Sequence, residues 1–499
     1  MGFDRRIPRG GESRVSFETL DHSGLVPAGF LPAGGGMALP VFYAGLILEE
    51  LVLLAGTWLL ARRLFRSPLA AFLVSVAVAG SALWADDLWL NARSIFAVPL
   101  IVCLLEEFLE TGSRRRLVLA ACVAAAQALG LPPGMVPVPF VAVASWFAAK
   151  TLLFGYPFGG RLKSLGWSAR DLLPAAVMIV LAVSLATLRG AAPGPATAAA
   201  PADILAYAGL RHPGRYLDVL VGATPGTEIT SFCGYLTIGF AVLGVTLLPR
   251  ATALRLLGAL LGSLLVLGLL LFALYALVPG LRPSRPLPFG GPWVRLFVAF
   301  LAGYGLDRLA ARAPEARAPL VRTALGLLVA AAGLAWLSGA LILQNRGPED
   351  ALLALEGVSP ETQSPWFSDI GLLSDALGAS SLFAAFAGGT LLLATRHRTF
   401  PFACALVLFL HPLDVFAWKS RMTWLRTSAP AAAGPGPRLV PSAWLRDPSG
   451  TPSRGPLSSA ASAVAALNAL VVLAFTGRRA LGLLGVLPDP GPRQGEAAP

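Results

Sequence analysis

Residues 256–278 read LLGALLGSLLVLGLLLFALYALV, an apolar run without one charged side chain. Crossing about 30 Å of hydrocarbon takes roughly 20 apolar residues in an α-helix. A helix also satisfies its backbone N–H and C=O groups internally, as lipid requires. The stretch therefore predicts a transmembrane helix. The runs at 320–343 and 457–476 have the same character, with few or no charges.

Working outward, apolar segments fall at 38–61, 68–85, 95–110, 117–131, 134–154, 172–189, 230–248, 293–309, 378–395 and 399–416. With the three above they predict an all-α, polytopic transmembrane bundle of about 13 spans with irregular outer loops. Composition agrees. The 499 residues are 56% apolar and 13% charged, and mean hydropathy is +0.70. A water-soluble domain carries roughly 25% charged residues, so this chain cannot cover its own surface with polar groups.

The formal net charge is +12, but its distribution argues against nucleic acid. Arginines cluster at segment ends: Arg62-Arg63, Arg114-Arg115-Arg116 and Arg478-Arg479. Clusters there mark the cytoplasmic side and meet anionic headgroups, and no nucleic-acid recognition module accompanies them. The short connections 62–67, 111–116, 155–171, 249–255, 310–319 and 396–398 carry most of the clustered charge and are assigned inside. Alternation then puts 85–94, 189–229, 279–292, 344–377 and 417–456 outside. Cys103, Cys122, Cys233 and Cys404 lie in or beside apolar segments without a CxxC pair, and read as small buried hydrophobes.

Four regions follow: an outer polar segment 1–37, a membrane module 38–309, further membrane helices with long outer loops at 310–476, and a cytoplasmic tail 477–499. An odd number of spans with an untargeted external N-terminus leads us to expect a further helix upstream. The alternative is a re-entrant hairpin involving 117–131, which would change the count. Long loops in compact proteins are often functional. Within them, 191–201 and 429–437 read as disordered, and 207–218 and 411–425 as ordered. There is no internal repeat of the kind many transporters carry.

Several polar groups are candidates for chemistry. Asp86 and Asp87, in ADDLWLN at 85–91, sit at the outer end of the second span. Such a pair can act as a base, bind a divalent metal or simply face water; Trp84 and Trp89 beside it suit sugar stacking or an interfacial belt. Glu49 and Glu50 lie inside the first span, where a carboxylate is costly and faces a partner or a wet cavity. Glu106 and Glu107 read as counter-charges for the basic turn at 114–116. Arg282 and Arg285 occupy a proline-stiffened outer loop, LRPSRPLPF at 281–289, and Arg295 follows just inside the next helix. A guanidinium fork there suits phosphate, as a ligand or as a bulk headgroup. The stretch HPLDVFAWKSRMTWLR at 411–426 gathers His411, Asp414, Lys419, Arg421 and Arg426 among aromatics, suiting a lipid-phosphate contact or a plain interfacial helix. No GxxxxGK[ST] or HExxH motif occurs, so neither ATP nor any cofactor is expected, and a divalent metal has no ligand signature.

Four stretches together resemble the YfhO-type bacterial membrane proteins, members of the GT-C class of polytopic glycosyltransferases. They are TWLLARRLFRSPLAA at 57–71; the basic turn and Ala-rich helix of 114–134, with Gln127 and Gly130; SFCGYLTIG at 231–239; and 281–309, where RPSRP precedes a helix ending AGYGLDRL. The likeness spans about residues 40–310. It implies a transferase of the bacterial inner membrane that takes a polyprenyl-phosphate-linked sugar at the outer face, with membrane lipids as its surroundings. In that class the first outer loop supplies an acidic catalytic residue and a later outer loop a second. Asp86 and Asp87 match the later position. The first helix and the acidic start of the first loop have no clear counterpart, and Asp4, Glu12, Glu18 and Asp21 are the acidic residues before the first span.

The mechanism so implied has Asp86 or Asp87, with Asp21, deprotonating an acceptor hydroxyl. That oxygen attacks the anomeric carbon and polyprenyl phosphate leaves with inversion. Arg282, Arg285, Arg295, Lys419 and Arg421 would hold the phosphate. A non-catalytic relative, a lipid-linked-sugar flippase using Glu49 and Glu50, and a structural subunit of a larger membrane assembly are the competing expectations.

Overall fold

The computed structural model describes residues 38–80, 95–129, 131, 136–154, 160, 169–189, 233–277, 290–311, 317–354, 365–396 and 398–428. These are all-α, 92% helical and without strands. The helices are α1 (Ala38–Leu64), α2 (Pro68–Gly80), α3 (Val98–Thr111), α4 (Arg114–Leu129), α5 (Pro137–Phe154) and α6 (Ala169–Arg189). After them come α7 (Tyr235–Leu247), α8 (Arg250–Leu277), α9 (Gly290–Ala310), α10 (Arg317–Ala354), α11 (Pro365–Ala394) and α12 (Phe400–Ser428). Each expected span from 38–61 to 399–416 coincides with one of them, and 457–476 lies outside the described residues.

Three boundaries differ from the expectation. The loops expected at 344–377 and 417–456 begin as helix, since α10 runs on to Ala354 and α12 to Ser428, and the first also ends as helix, since α11 starts at Pro365. The apolar run ends there but the helical hydrogen bonding does not, because polar residues carry a helix beyond the part that must be apolar. The segments 191–201, 207–218 and 429–437 lie outside the described residues. The stretch 411–425 is helical, and 117–131 forms α4 along α3.

Contacts between helices fix their directions. Gly56 lies on Leu100 and Arg63 meets Glu107 about two turns later, so α1 and α3 run the same way. Gln127 meets Ala97 and Arg116 meets Glu107, so α3 and α4 oppose. Ser67 meets Asp307 and Val74 faces Gly303, so α2 and α9 oppose. Ser381 donates to the Ala331 carbonyl and Gly388 lies on Leu328, so α10 and α11 oppose. Gly244 faces the Leu301 carbonyl and Gly305 the Phe240 carbonyl. These contacts set Gly244 beside Gly305, and nearer the helix starts Arg295 acts on Cys233, so α7 and α9 run together. In every case the direction is the one that strict alternation along the chain requires.

Small residues let the helices approach closely. Ala61, Ala70, Ala71, Ala97, Ala125, Ala299, Ala302, Ala324, Ala384 and Ala387 are completely buried. At the α7–α9 crossing any Cβ on Gly244 or Gly305 would strike the opposite backbone. This is how helices pack where lipid leaves no hydrophobic force between them. The larger core side chains are Leu53, Leu60, Leu73, Leu100, Leu104, Leu236, Phe240 and Leu243.

The outside is apolar as well. Leu254, Leu257 and Leu261 on α8, Val329 and Trp336 on α10, and Phe402 and Phe409 on α12 are all exposed. The stretches Arg317–Leu341 and Leu377–Ala394 are long and apolar enough to cross a membrane. Only 22% of the apolar window in the first is buried, so most of it needs apolar cover beyond the described residues.

Candidate functional site

Three helix N-termini are capped by side chains from other helices, and two of them, those of α3 and α7, begin inside the protein. The first-turn N–H groups have no intrahelical partner and need one when buried. Ala97, preceding α3, has no capping side chain; its N–H donates to Gln127 Oε1 at 2.7 Å. The Ser67 N–H before α2 donates to Asp307 Oδ1 at 2.7 Å. At α7 the preceding residue is Gly234, at φ 95°, and the carboxylate of Asp414 on α12 takes the cap's place. Asp414 Oδ2 accepts the Leu236 N–H at 3.2 Å, and the Tyr235 N–H also points to this carboxylate.

The α7 terminus is the centre of a buried polar cluster. Asp414 and Arg295 are 2% exposed, and His411 and Cys233 are completely buried. His411 Nε2 lies 3.0 Å from the Leu73 carbonyl on α2. Arg295, on α9, and Asp414 both act electrostatically on Cys233, and the Tyr235 hydroxyl lies beside that of Ser380 on α11. Five helices meet here. Pro412 sits within α12 between the two polar residues, where its missing N–H removes one helical hydrogen bond.

A second cluster lies at the opposite ends of α1, α3, α4 and α5. Glu106 Oε1 accepts from Lys150 Nζ at 2.8 Å and from Trp146 Nε1 at 3.0 Å. Arg63 Nε is 3.6 Å from Glu106 Oε2, Arg63 Nη1 is 3.8 Å from Glu107 Oε1, and Arg63 Nη2 pairs with Glu110. Arg116 Nε is 3.0 Å from Glu107 Oε2. Burial alone would lower the Arg63 guanidinium, but the hydrogen bond and charge of Glu110 outweigh it and hold it above its ordinary value. Nearby, Arg114 Nη2 bonds Asp171 Oδ1 at 3.1 Å. Glu106 and Glu107 are counter-charges, as expected, but Arg63 and Lys150 share the role with Arg116.

Of the candidate residues, Asp21, Asp86, Asp87, Arg282 and Arg285 lie outside the described residues. Arg295 is inside the bundle rather than on its surface. Lys419 and Arg421 fall in the last turns of α12. Glu49 is 3% exposed. Among the described residues no group of His, Cys, Asp and Glu is arranged to hold a metal. The cluster brings together segments that looked separate in sequence: Tyr235 from 231–239, Arg295 from 281–309, and His411 with Asp414 from 411–426. Gly234 is the one local signal of the Asp414 cap, as a residue at a helix start with no side chain to cap it. No family model, no curated protein and no solved structure matches the chain.

Proposed function

We propose that the chain is a multi-pass protein of the bacterial inner membrane, with its C-terminus cytoplasmic, that binds a polyprenyl-phosphate-linked sugar at its outer end. There it acts as a GT-C-like glycosyltransferase or a close non-catalytic relative. Its membrane placement is supported by the apolar exterior, the two helices long enough to span, and the alternating helix directions. The ion-paired ends of α1, α3, α4 and α5 coincide with the arginine clusters assigned to the cytoplasm.

The observation that carries the ligand reading is the polar cluster around the start of α7. Its helices α2, α7, α9 and α12 connect directly to residues 81–94, 190–232, 278–289 and the chain beyond 428. Those stretches include Asp86, Asp87, Arg282 and Arg285. These residues are contiguous in the chain with the helices of the cluster, which supports reading them together with it. In the reaction, an aspartate takes the acceptor hydroxyl proton and the acceptor oxygen bonds to the anomeric carbon. The bond from that carbon to the phosphate oxygen breaks, and the arginines hold the released polyprenyl phosphate.

Binding of a polyprenyl-phosphate analogue to the purified protein at fixed ionic strength tests this. Losing charge-assisted bonds to a partly desolvated phosphate costs about 1.5–3 kcal/mol, roughly 10- to 150-fold in affinity. Arg282→Lys with Arg285→Lys should weaken binding almost as much as the double Ala variant, because lysine lacks the bidentate fork. Equal binding by wild type and the double Ala variant would sink the phosphate site and favour a structural subunit of a membrane assembly.

A further inference from the structure

Among the buried side-chain atoms of the cluster without a hydrogen-bond partner are, besides the Ser380 hydroxyl, two acceptors on α12. A carbonyl can only accept, so the bond to Leu73 requires the proton of a neutral His411 on Nε2. His411 Nδ1 then carries a lone pair, and it has no hydrogen-bond partner among the described residues. Asp414 uses Oδ2 for the α7 terminus, and its Oδ1 likewise has none. The two residues are three apart on α12 and share a face of the helix. Both are almost wholly removed from solvent, where unmet acceptors are costly. One proton relieves both: on Asp414 Oδ1 it becomes a donor toward Nδ1, directly or through one water.

We propose that His411 and Asp414 form an intramembrane proton-binding pair, taking one proton from the aqueous phase and sharing it between Asp414 Oδ1 and His411 Nδ1. The other ionisable groups in the cluster are Arg295 on α9 and Cys233 and Tyr235 at the start of α7. From α2 comes the Leu73 carbonyl and from α11 the Ser380 hydroxyl, neither of which titrates in the working range. Asp414's bonds to the α7 amides survive protonation, because its carbonyl oxygen still accepts. The pair can therefore load and unload without losing the cap. The proposal rests on the membrane-embedded reading and not on sugar transfer, so a protein that failed to bind polyprenyl phosphate would leave it standing.

The test uses the full chain in lipid nanodiscs with His22, His212 and His397 each replaced by Gln, leaving His411 as its one imidazole. Nitrogen NMR of isotopically labelled histidine should find Nε2 protonated throughout. Nδ1 should move from a free lone pair to a hydrogen-bonded one as the pair loads. Interacting sites titrate together, so Asp414→Asn, which supplies a permanent amide donor, should displace the His411 transition by about one unit or more. A free Nδ1 lone pair at every pH, or an unchanged transition in Asp414→Asn, would overturn the proposal. His411→Gln keeps a donor for Leu73 and supplies the second arm. In acid-minus-base infrared spectra of wild type, a buried carboxylic-acid band should be present and should shift in His411→Gln. Its absence, or its indifference to that change, would equally reject the pair.

Discussion

Asp414 caps the helix that Gly234 opens, across 178 positions between its carboxylate and the Leu236 amide. Two residues remote in sequence thus form one structural unit. A Cβ on Gly234 would lie 2.8 Å from Asp414 Oδ2, and the left-handed backbone there disfavours any side chain. Gly234→Ala should therefore destabilise by about 1–3 kcal/mol from backbone strain alone, with a further loss as the carboxylate is pushed off the α7 amides. Asp414→Ala should cost about 1–2 kcal/mol for the lost cap, and Asp414→Asn much less. In denaturant unfolding in detergent, the Gly234→Ala/Asp414→Ala pair should fall short of the sum of the single variants. Strict additivity would mean that the two act independently.

The ion-paired cluster gives a second prediction. Glu106 is 3% exposed, and Lys150, Arg63 and Trp146 all approach it. Removing one partner of a buried pair leaves the other uncompensated, at about 3–5 kcal/mol. Glu106→Gln should approach that loss, Lys150→Met should cost less because Arg63 and Trp146 still hold the carboxylate, and Glu110→Gln, at a side chain 57% exposed, should cost least. A thermal melt showing all three variants alike would contradict the burial argument.

Topology can be read chemically. On a background freed of Cys103, Cys122, Cys233 and Cys404, single cysteines at Ser284 and Ser449 should react with an impermeant thiol reagent in sealed cells. A cysteine at Ser113, in the turn between α3 and α4, should react only after permeabilisation. Labelling at position 113 in sealed cells would reverse the map.

Asp86→Asn with Asp87→Asn should leave expression and melting nearly unchanged while glycosyl transfer falls. Loss of one general base typically lowers rate by about 10²–10⁴-fold. Full transfer by the double variant would remove both aspartates from catalysis.

The helices were legible in the sequence because a spanning segment must be apolar for its whole length, a constraint visible in any window. Their extensions were not. Residues 344–354, 365–377 and 417–428 are helical, but a polar stretch that continues a helix has the hydropathy of a loop. Glu106 and Glu107 were readable as counter-charges from the nearby basic turn, whereas the approach of Lys150 from α5 depends on how α3 and α5 lie together. The convergence of Tyr235, Arg295 and Asp414 left no local trace either, since a cap supplied from another helix follows no spacing rule.

The contact between Gly244 and Gly305 leaves no side-chain layer between α7 and α9. With backbone against backbone, neither helix can slide or roll without collision, because close-packed interiors are not continuously deformable. The two behave as a single strut, so Tyr235 and Arg295 travel together. A rearrangement at that end would leave the strut intact and move the helices around it, α12 among them, which holds it through the Asp414 carboxylate. Spin labels across α7 and α9 should keep their separation when a polyprenyl-phosphate analogue is added, and labels across α7 and α12 should not.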